Sequence, residues 1–386
     1  MSRVKELAQQ AAVKSALSDF ETRLPEIVDL VVQIQQIPSP TFQEGARADF
    51  VQAQFEQIGL QEVGQDEIQN VYGCFRGRGE GDPLIISAHT DTVFAKDTDL
   101  SVTRNGERII GPGIADNSMG VAGMLTVART FQALGMDAAR DVWFVGNVGE
   151  EGLGDLCGMR AAVERFGRRG RYIVLEGGLF GYVCHEAIGV RRFRIAVEGP
   201  GGHSWGSFGT PSATHILGKL IAQIEKLEVP ADPKTTYNVG VIEGGTTVNS
   251  IARSASMLLD LRSEDPRMLR DLVKQVRDIV DGQPPMEEVS IRLEAIGDRP
   301  AGRIGRKTRL VRWATAALRQ VGLQNPEYTM ASTDANIPLS YGLPAVCIGV
   351  SRSGHTHRPD EYLELGSIPA GLGQATLLGL AASGSD

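Results

Sequence analysis

The stretch PLIISAHTDTVF, residues 83–94, decides how this chain is read. From Leu84 to Ser87 it carries no charge and none of the alternation of a half-exposed strand, which is the pattern of a central strand covered on both faces. Three more runs have the same character, namely DVWFVGNV at 141–148, YIVLEGG at 172–178 and AVCIGV at 345–350. Helical stretches such as GVAGMLTVARTFQALG, residues 120–135, separate them. Strands alternating with helices predict an α/β fold whose mainly parallel, mixed sheet is sandwiched by helices. In such sheets ligands bind beyond the carboxyl ends of the strands. The chemically distinctive residues of this chain fall there.

Upstream, Ile27, Leu30, Val31, Ile34 and Ile37 recur at three and four, predicting an amphipathic helix from Leu24 stopped at Pro38. Thr41 with Glu44 three residues on reads as a capping box for a second helix that carries Phe50, Val51, Phe55 and Ile58 and closes at Gly59. Two helices are therefore expected before the first strong strand. Downstream, the pattern changes between Val190 and Ile296. RRFRIAVEG alternates, SATHILGKLIAQIEKL is helical, YNVGVIEGG and SASMLLDLRS alternate, PRMLRDLVKQVRDIVDG is helical, and EVSIRLEAIG alternates again. This order is a split βαβ arrangement with one sheet face open. It predicts an α+β domain, residues 190–296, inserted into a catalytic domain made of residues 1–189 and 297–386.

A formal net charge of −8 lacks the basic footprint that phosphate backbones require, so nucleic acid is excluded as a partner. The basic run RFGRRGR, residues 165–171, reads as a helix end and turn. No apolar run approaching the ~18–20 residues of a bilayer span is apparent, and the N-terminal stretch lacks the apolar core of a secretory leader. The expectation is a soluble, cytoplasmic protein with no membrane partner. Cys74, Cys157, Cys184 and Cys347 are scattered without CxxC spacing, as reduced thiols would be.

In HTDTV, His89 and Asp91 stand at i, i+2, so on an extended chain they share a face, and Asp91 can accept a hydrogen bond from the imidazole. A structural histidine would satisfy the same spacing. Asp116, in the glycine-rich GPGIADNSMGVAG, could equally cap a helix. Glu150 and Glu151 in GNVGEEGLGD follow a strand end, and adjacent carboxylates there repel unless a cation is near. Glu176 closes YIVLEGG, and SGHTHRPDEYLEL offers His355 and His357 ahead of Glu361. A mixed imidazole and carboxylate set suits zinc, with cobalt or manganese as substitutes, better than calcium or magnesium. One imidazole per ion with a shared carboxylate would hold two.

Taken in order, HTDTV, GPGIADNSMGVAG, GNVGEEG, LEGG, GPGGHS and HRPDEYLEL resemble the di-zinc exopeptidase and deacylase family of peptidase T, carboxypeptidase G, acetylornithine deacetylase and aminoacylase. The resemblance spans nearly the whole chain. It implies that His89 and Glu176 bind one metal, Glu151 and His357 the other, and Asp116 both. It makes Asp91 the orienting partner of His89 and leaves Glu150 as general base. His357 is preferred to His355 because the family's terminal histidine precedes a glutamate by four residues, as His357 precedes Glu361. The family's peptide bond after the bridging aspartate is often cis.

The implied reaction is amide hydrolysis, in which the two ions lower the pKa of a shared water, Glu150 takes its proton, and Glu150 then protonates the leaving amine. His203 in GPGGHS resembles the family histidine that reaches into the partner's site across a homodimer and stabilises the developing oxyanion; a turn histidine would look the same. Asn249 and Arg262 resemble lid residues that hold substrate, the guanidinium gripping a carboxylate, although a surface salt bridge would serve Arg262 equally. Asp334 and Asn336 in ASTDANIPLSYGLP resemble pocket residues of the peptidase T branch, where an Asx turn is the simpler alternative. The leading expectation is a peptidase T-like exopeptidase on small peptides. The alternatives are an N-acyl-amino-acid deacylase or glutamate-type carboxypeptidase and, more remotely, a non-catalytic binding homologue. The open sheet face of the insertion predicts homodimerisation through it.

Overall fold

The computed structural model describes residues 2–384. They form two compact units, one of residues up to Ala187 together with those from Gly302 on, and one of Ile188–Ala301. The second unit begins two residues earlier and ends five later than the alternation predicts, because its pairing strands Gly189–Glu198 and Ser290–Arg299 run further than their alternating cores.

In the first unit a 12-stranded mixed sheet runs in the order Gln61–Gln65, Val71–Phe75, Val142–Asn147, Leu84–His89, Arg171–Leu179, Ala345–Gly354, and then short strands toward Thr103–Asn105. The four strands from Val142–Asn147 to Ala345–Gly354 pair in parallel. Leu84–His89 and Val142–Asn147 are buried at every position, as continuous apolar runs must be when helices cover both faces. Helix Gly120–Leu134 packs on the strands, and helix Ile368–Ser383 packs on Ala345–Gly354 and on that helix.

Two expectations are corrected here. Four helices, Ser2–Gln9, Ala11–Thr22, Leu24–Gln35 and Gly45–Ile58, precede the strand Leu84–His89, as does the antiparallel pair Gln61–Gln65 with Val71–Phe75. The edge strand QEVGQ is too polar to show a strand pattern. Second, Leu365–Ser383 is long and apolar enough to cross a bilayer. Its interspersed glycines and hydroxyls hide that in the sequence, and within the fold it is a mostly buried interior helix.

The second unit is a four-stranded antiparallel sheet in the order Thr235–Gly244, Ser254–Ser263, Gly189–Glu198, Ser290–Arg299. Helices Ala213–Ile224 and Pro266–Asp281 pack against its inner strands through Leu217, Leu220, Leu272 and Val276. Each helix connects two parallel strands with a third lying between them, which is the split βαβ arrangement. Pro266–Asp281 begins at a true cap, where Asp265 accepts the Arg267 backbone N–H at 2.7 Å.

Candidate metal centre

Asp91, wholly buried just past the strand Leu84–His89, ties the first unit's ligand segments together. Its Oδ1 accepts the Glu150 backbone N–H at 3.0 Å and lies 3.3 Å from His89 Nδ1. Its Oδ2 accepts the Glu151 N–H and the Thr41 hydroxyl, each at 2.9 Å. Burial opposes the charge, but His89 and the two backbone donors outweigh it and hold the carboxyl below its usual range. The Asp91 carbonyl also lies 3.1 Å from His89 Nδ1. With Nδ1 so occupied, Nε2 is the nitrogen left to face outward.

That Nε2 lies 3.1 Å from Asp116 Oδ1 and 3.7 Å from Glu176 Oε2. The other oxygen of Asp116, Oδ2, lies 3.1 Å from His357 Nε2, which is 3.0 Å from Glu151 Oε1. One carboxylate thus stands between two imidazoles. Asp116 lies in the kinked segment Ile114–Met119, and its peptide bond to Asn117 is cis. Asn117 locks that kink to the strand bearing Glu176, donating to Leu175 O at 3.0 Å and accepting the Gly177 N–H at 2.8 Å. Gly177 is required there, since a Cβ would meet Ala115 O at 1.7 Å.

His355 turns instead to Asp360 at 2.8 Å and is exposed. Glu361, wholly buried, holds the two remaining segments together: Oε1 accepts Ala115 and Asp116 N–H at 2.7 and 2.9 Å, and Oε2 accepts His357 N–H at 3.1 Å.

The electrostatics are those of imidazoles and carboxylates packed closely enough to shift one another. Burial disfavours charge on His89, but Asp116, Asp91 and Glu176 outweigh it and push its pKa well above the usual value. The Asp116 and Glu151 carboxylates, accepting hydrogen bonds from the His357 imidazole, push its pKa up to about 10. Burial raises the Asp116 pKa, yet His357 and His89 bring it well below the usual carboxylate range.

These residues fit divalent metal ions. One donor atom from each of His89, Asp116 and Glu151 lies within 4.8 Å of the others. Donors around a tetrahedral ion at zinc distances stand about 3.3 Å apart, and the contacts here run from 3.0 to 3.7 Å. Asp116 Oδ1 is buried without a hydrogen bond although His89 Nε2 is 3.1 Å away. Two atoms that close without hydrogen-bond geometry are oriented as ligands of a common cation are.

Other expected residues sit differently. Asp334 and Asn336 are wholly buried. Asn336 Oδ1 accepts the Thr333 N–H at 2.9 Å, the local turn that competed with a pocket role, and Asp334 Oδ2 accepts from Asn147 Nδ2 at 2.6 Å. In the second unit, His203 and Asn249 come together: His203 pairs with Ser250, and Ser204 N–H donates to Asn249 O at 3.0 Å. His203 Nδ1 accepts from the Trp205 and Gly206 N–H groups at 3.2 and 3.3 Å, which assigns the proton to Nε2. Arg262 Nε donates to Asp260 Oδ2 at 2.7 Å, and Arg192 Nε to Oδ1 at 3.0 Å.

Sequence reading missed Thr41, Glu44 and Arg47 as members of this network. The capping box does not form: helix Gly45–Ile58 has no side-chain cap, Thr41 binds Asp91, and Glu44 accepts the Gly149 N–H at 3.1 Å. Arg47 is buried, donating to Thr90 O at 3.0 Å and Ile37 O at 2.8 Å. An arginine on the apolar side of a helix was the available signal.

Comparison with known proteins agrees with this chemistry. Carboxypeptidase G2 of Pseudomonas sp. (strain RS-16) is 22% identical over 380 residues, covering 94% of this chain and 90% of that one. A tripeptidase of Staphylococcus aureus superposes with a TM-score of 0.76 at 21% identity, over 92% of this chain and 97% of that one. The Bacillus subtilis YXEP protein, described as a dinuclear metal binding peptidase, does so at 0.66 and 14%, over 94% and 99%. The four cysteines are free, as expected. A parallel sheet with imidazoles and carboxylates gathered at its strand ends is here the framework of a metallohydrolase. More narrowly, the chain belongs to peptidase family M20/M25/M40, whose model matches residues 85–376.

Proposed function

We propose that this protein is an exopeptidase similar to peptidase T that hydrolyses an amide bond of small peptides at two divalent ions, zinc with cobalt or manganese as substitutes. The observation that carries this reading is Asp116, whose two oxygens each lie 3.1 Å from a different imidazole, those of His89 and His357. His89, Glu176 and Asp116 would hold one ion, and Asp116, Glu151 and His357 the other. When bound, the ions supply Lewis acidity to the amide carbonyl and acidify the attacking water.

The chain does the rest. Asp91 fixes the Glu150 and Glu151 backbones side by side, so that Glu151 meets His357 while its neighbour Glu150 serves as general base. Glu150 takes the proton of the attacking water and returns it to the leaving nitrogen. His203, carrying its proton on Nε2, is the donor to the developing oxyanion and acts from the partner subunit of a homodimer built on the inserted unit. Asn249 and Arg262 hold the substrate, and Asp334 and Asn336 shape the pocket from behind. The protein's reduced cysteines accord with a cytoplasmic enzyme.

One observation favours a second reading. Asp260 holds Arg192 and Arg262 side by side, and the Arg262 guanidinium suits a bidentate grip on a substrate carboxylate, as an N-acyl-amino-acid deacylase or a carboxypeptidase releasing an acidic residue would need. A panel of di- and tripeptides and N-acyl amino acids, offered to the zinc- and cobalt-loaded protein, separates these substrates. Chelation should abolish turnover, and Glu150→Gln should keep its metal and lose the rate. Full rate in that variant would remove Glu150 as base, and no turnover of any member would leave only the binding-module reading.

A further inference from the structure

Three large apolar side chains of the first unit lie bare in the chain around the metal centre: Phe42 is 67% exposed, Val93 43% and Leu153 51%. Each belongs to a segment fastened to Asp91. Phe42 follows Thr41, whose hydroxyl donates to Asp91 Oδ2. Val93 stands two residues past Asp91, beside Thr92, whose N–H donates to Ser39 O at 2.8 Å. Leu153 lies in the turn Gly152–Gly154 directly after Glu151, whose N–H donates to Asp91 Oδ2. Glu44 Oε1, accepting from Gly149, closes the first and third segments on one another. Since consecutive Cα atoms are 3.8 Å apart, all three residues start within about 8 Å of a residue bonded to Asp91 or of Asp91 itself.

Scattered exposed apolar residues are ordinary on protein surfaces. Phe42 is not ordinary. It occupies the third position of the turn Pro40–Gln43, closed by Gln43 N–H to Pro40 O at 2.8 Å, with φ of 71°. Glycine or asparagine takes that position without strain, and a bulky side chain does not. Phe42 accepts the strained backbone and receives little burial in return, the combination expected where a side chain is kept for what it contacts during function.

We infer that Phe42, Val93 and Leu153 form an apolar subsite flanking the metal centre, selecting substrates with a large apolar side chain next to the scissile amide. This rests on the reading of the site as an amide hydrolase. Burying a leucine or phenylalanine side chain there removes apolar surface of substrate and protein from water together, whereas a serine side chain gains nothing. A pocket of this kind discriminates by roughly tenfold or more per well-packed group.

The test uses the zinc-loaded full chain with matched dipeptides and N-acyl amino acids carrying leucine or serine on either side of the amide. Calorimetric binding of leucine hydroxamate and serine hydroxamate provides a readout that needs no turnover. The expected result is a preference for leucine of about tenfold or more in kcat/KM on one side and in hydroxamate affinity, falling below about threefold in Phe42→Asn and Leu153→Ser. Phe42→Asn should also melt higher, its turn relieved, so lost preference cannot be blamed on lost folding. Equal treatment of leucine and serine on both sides, or a preference unchanged in both variants, overturns the subsite. Hydroxamate selectivity that vanishes in the variants of a protein cleaving no amide would uphold the subsite and refute the reaction.

Discussion

Replacing Glu361 by glutamine tests whether one buried carboxylate holds the two halves of the metal centre in register. Its Oε1 accepts from Ala115 and Asp116, and its Oε2 from His357. Glutamine has the same shape but one acceptor oxygen. Turned to keep the pair at Ala115 and Asp116, it sets an amide NH2 against the His357 N–H, so one bond is lost and two donors face each other. A hydrogen bond to a charged acceptor contributes roughly 1.5–3 kcal/mol, and the two that remain weaken as their acceptor becomes neutral. The total loss is on the order of 2–4 kcal/mol when Glu361 is ionised.

How much of that loss is felt depends on the metal. Burial pushes the Glu361 carboxyl up to about 7, against the pull of its three backbone donors and with the push of Asp116. Near neutrality the metal-free protein therefore already holds it partly protonated, with one acceptor already given up, and the substitution costs little there. Divalent charge at Asp116 and His357 favours the ionised form, so the full cost falls on the loaded state. That difference is a loss of metal affinity, expected at about 30-fold to several-hundred-fold for ~2–4 kcal/mol. Zinc titration against a competing chelator near neutral pH measures it, with the melting temperature of the metal-free protein as control. A folded variant that binds zinc within about twofold of the parent would refute the reasoning.

Three further outcomes follow from the same geometry. Asp91→Asn removes an acceptor shared by His89, Glu150, Glu151 and Thr41 and should lower kcat by about 10- to 100-fold or more, read by steady-state kinetics beside metal content; an unchanged kcat would remove Asp91 as the orienting group. His357 in the metal-free protein titrates at about 10, raised by Asp116 and Glu151, against about 6.5 unfolded. A raised basic pKa stabilises fully below the unfolded value and loses its effect as pH climbs through the folded one. The melting temperature in chelator should therefore decline between about pH 6.5 and 10 more than that of the loaded protein, while zinc uptake within that range should release protons; parallel melting curves would contradict this. Asp260→Asn should remove the carboxylate that competes for the Arg262 guanidinium and lower KM about tenfold for carboxylate-bearing substrates relative to their amides, with kcat little changed. Kinetics on such matched pairs decides it, and equal KM ratios in parent and variant would dissociate Asp260 from substrate binding.

The parts of this protein that were legible in its sequence are those whose partners are close or whose burial is uniform. Leu84–His89 and Val142–Asn147 read as central strands because burial on both faces leaves an unbroken apolar signature. The acid and imidazole pattern at their ends showed where chemistry gathers. What was misread around Asp91 shares one cause, a polar residue whose partner lies far along the chain. Thr41 and Glu44 have the spacing of a capping box, yet Thr41 binds Asp91, fifty residues on, and Glu44 binds Gly149, more than a hundred on. A threonine three residues before a glutamate looks the same in either case, since both side chains lie on the same turn of backbone. Asn336 shows the reverse: a residue proposed for distant work is engaged by Thr333, three positions away. The deciding variable is burial, which a local pattern does not encode for polar side chains. A fully exposed capping box would have satisfied only its own helix. Arg47 is the exception that carried a visible signal, because a charge on the apolar face of the helix Gly45–Ile58 has no solvent to meet and must find acceptors inside. The acceptors it finds are Ile37 O, shortly before the turn holding Thr41, and the O of Thr90, the residue preceding Asp91. A misplaced charge in an amphipathic helix thus marks, from sequence alone, a residue that must find buried acceptors.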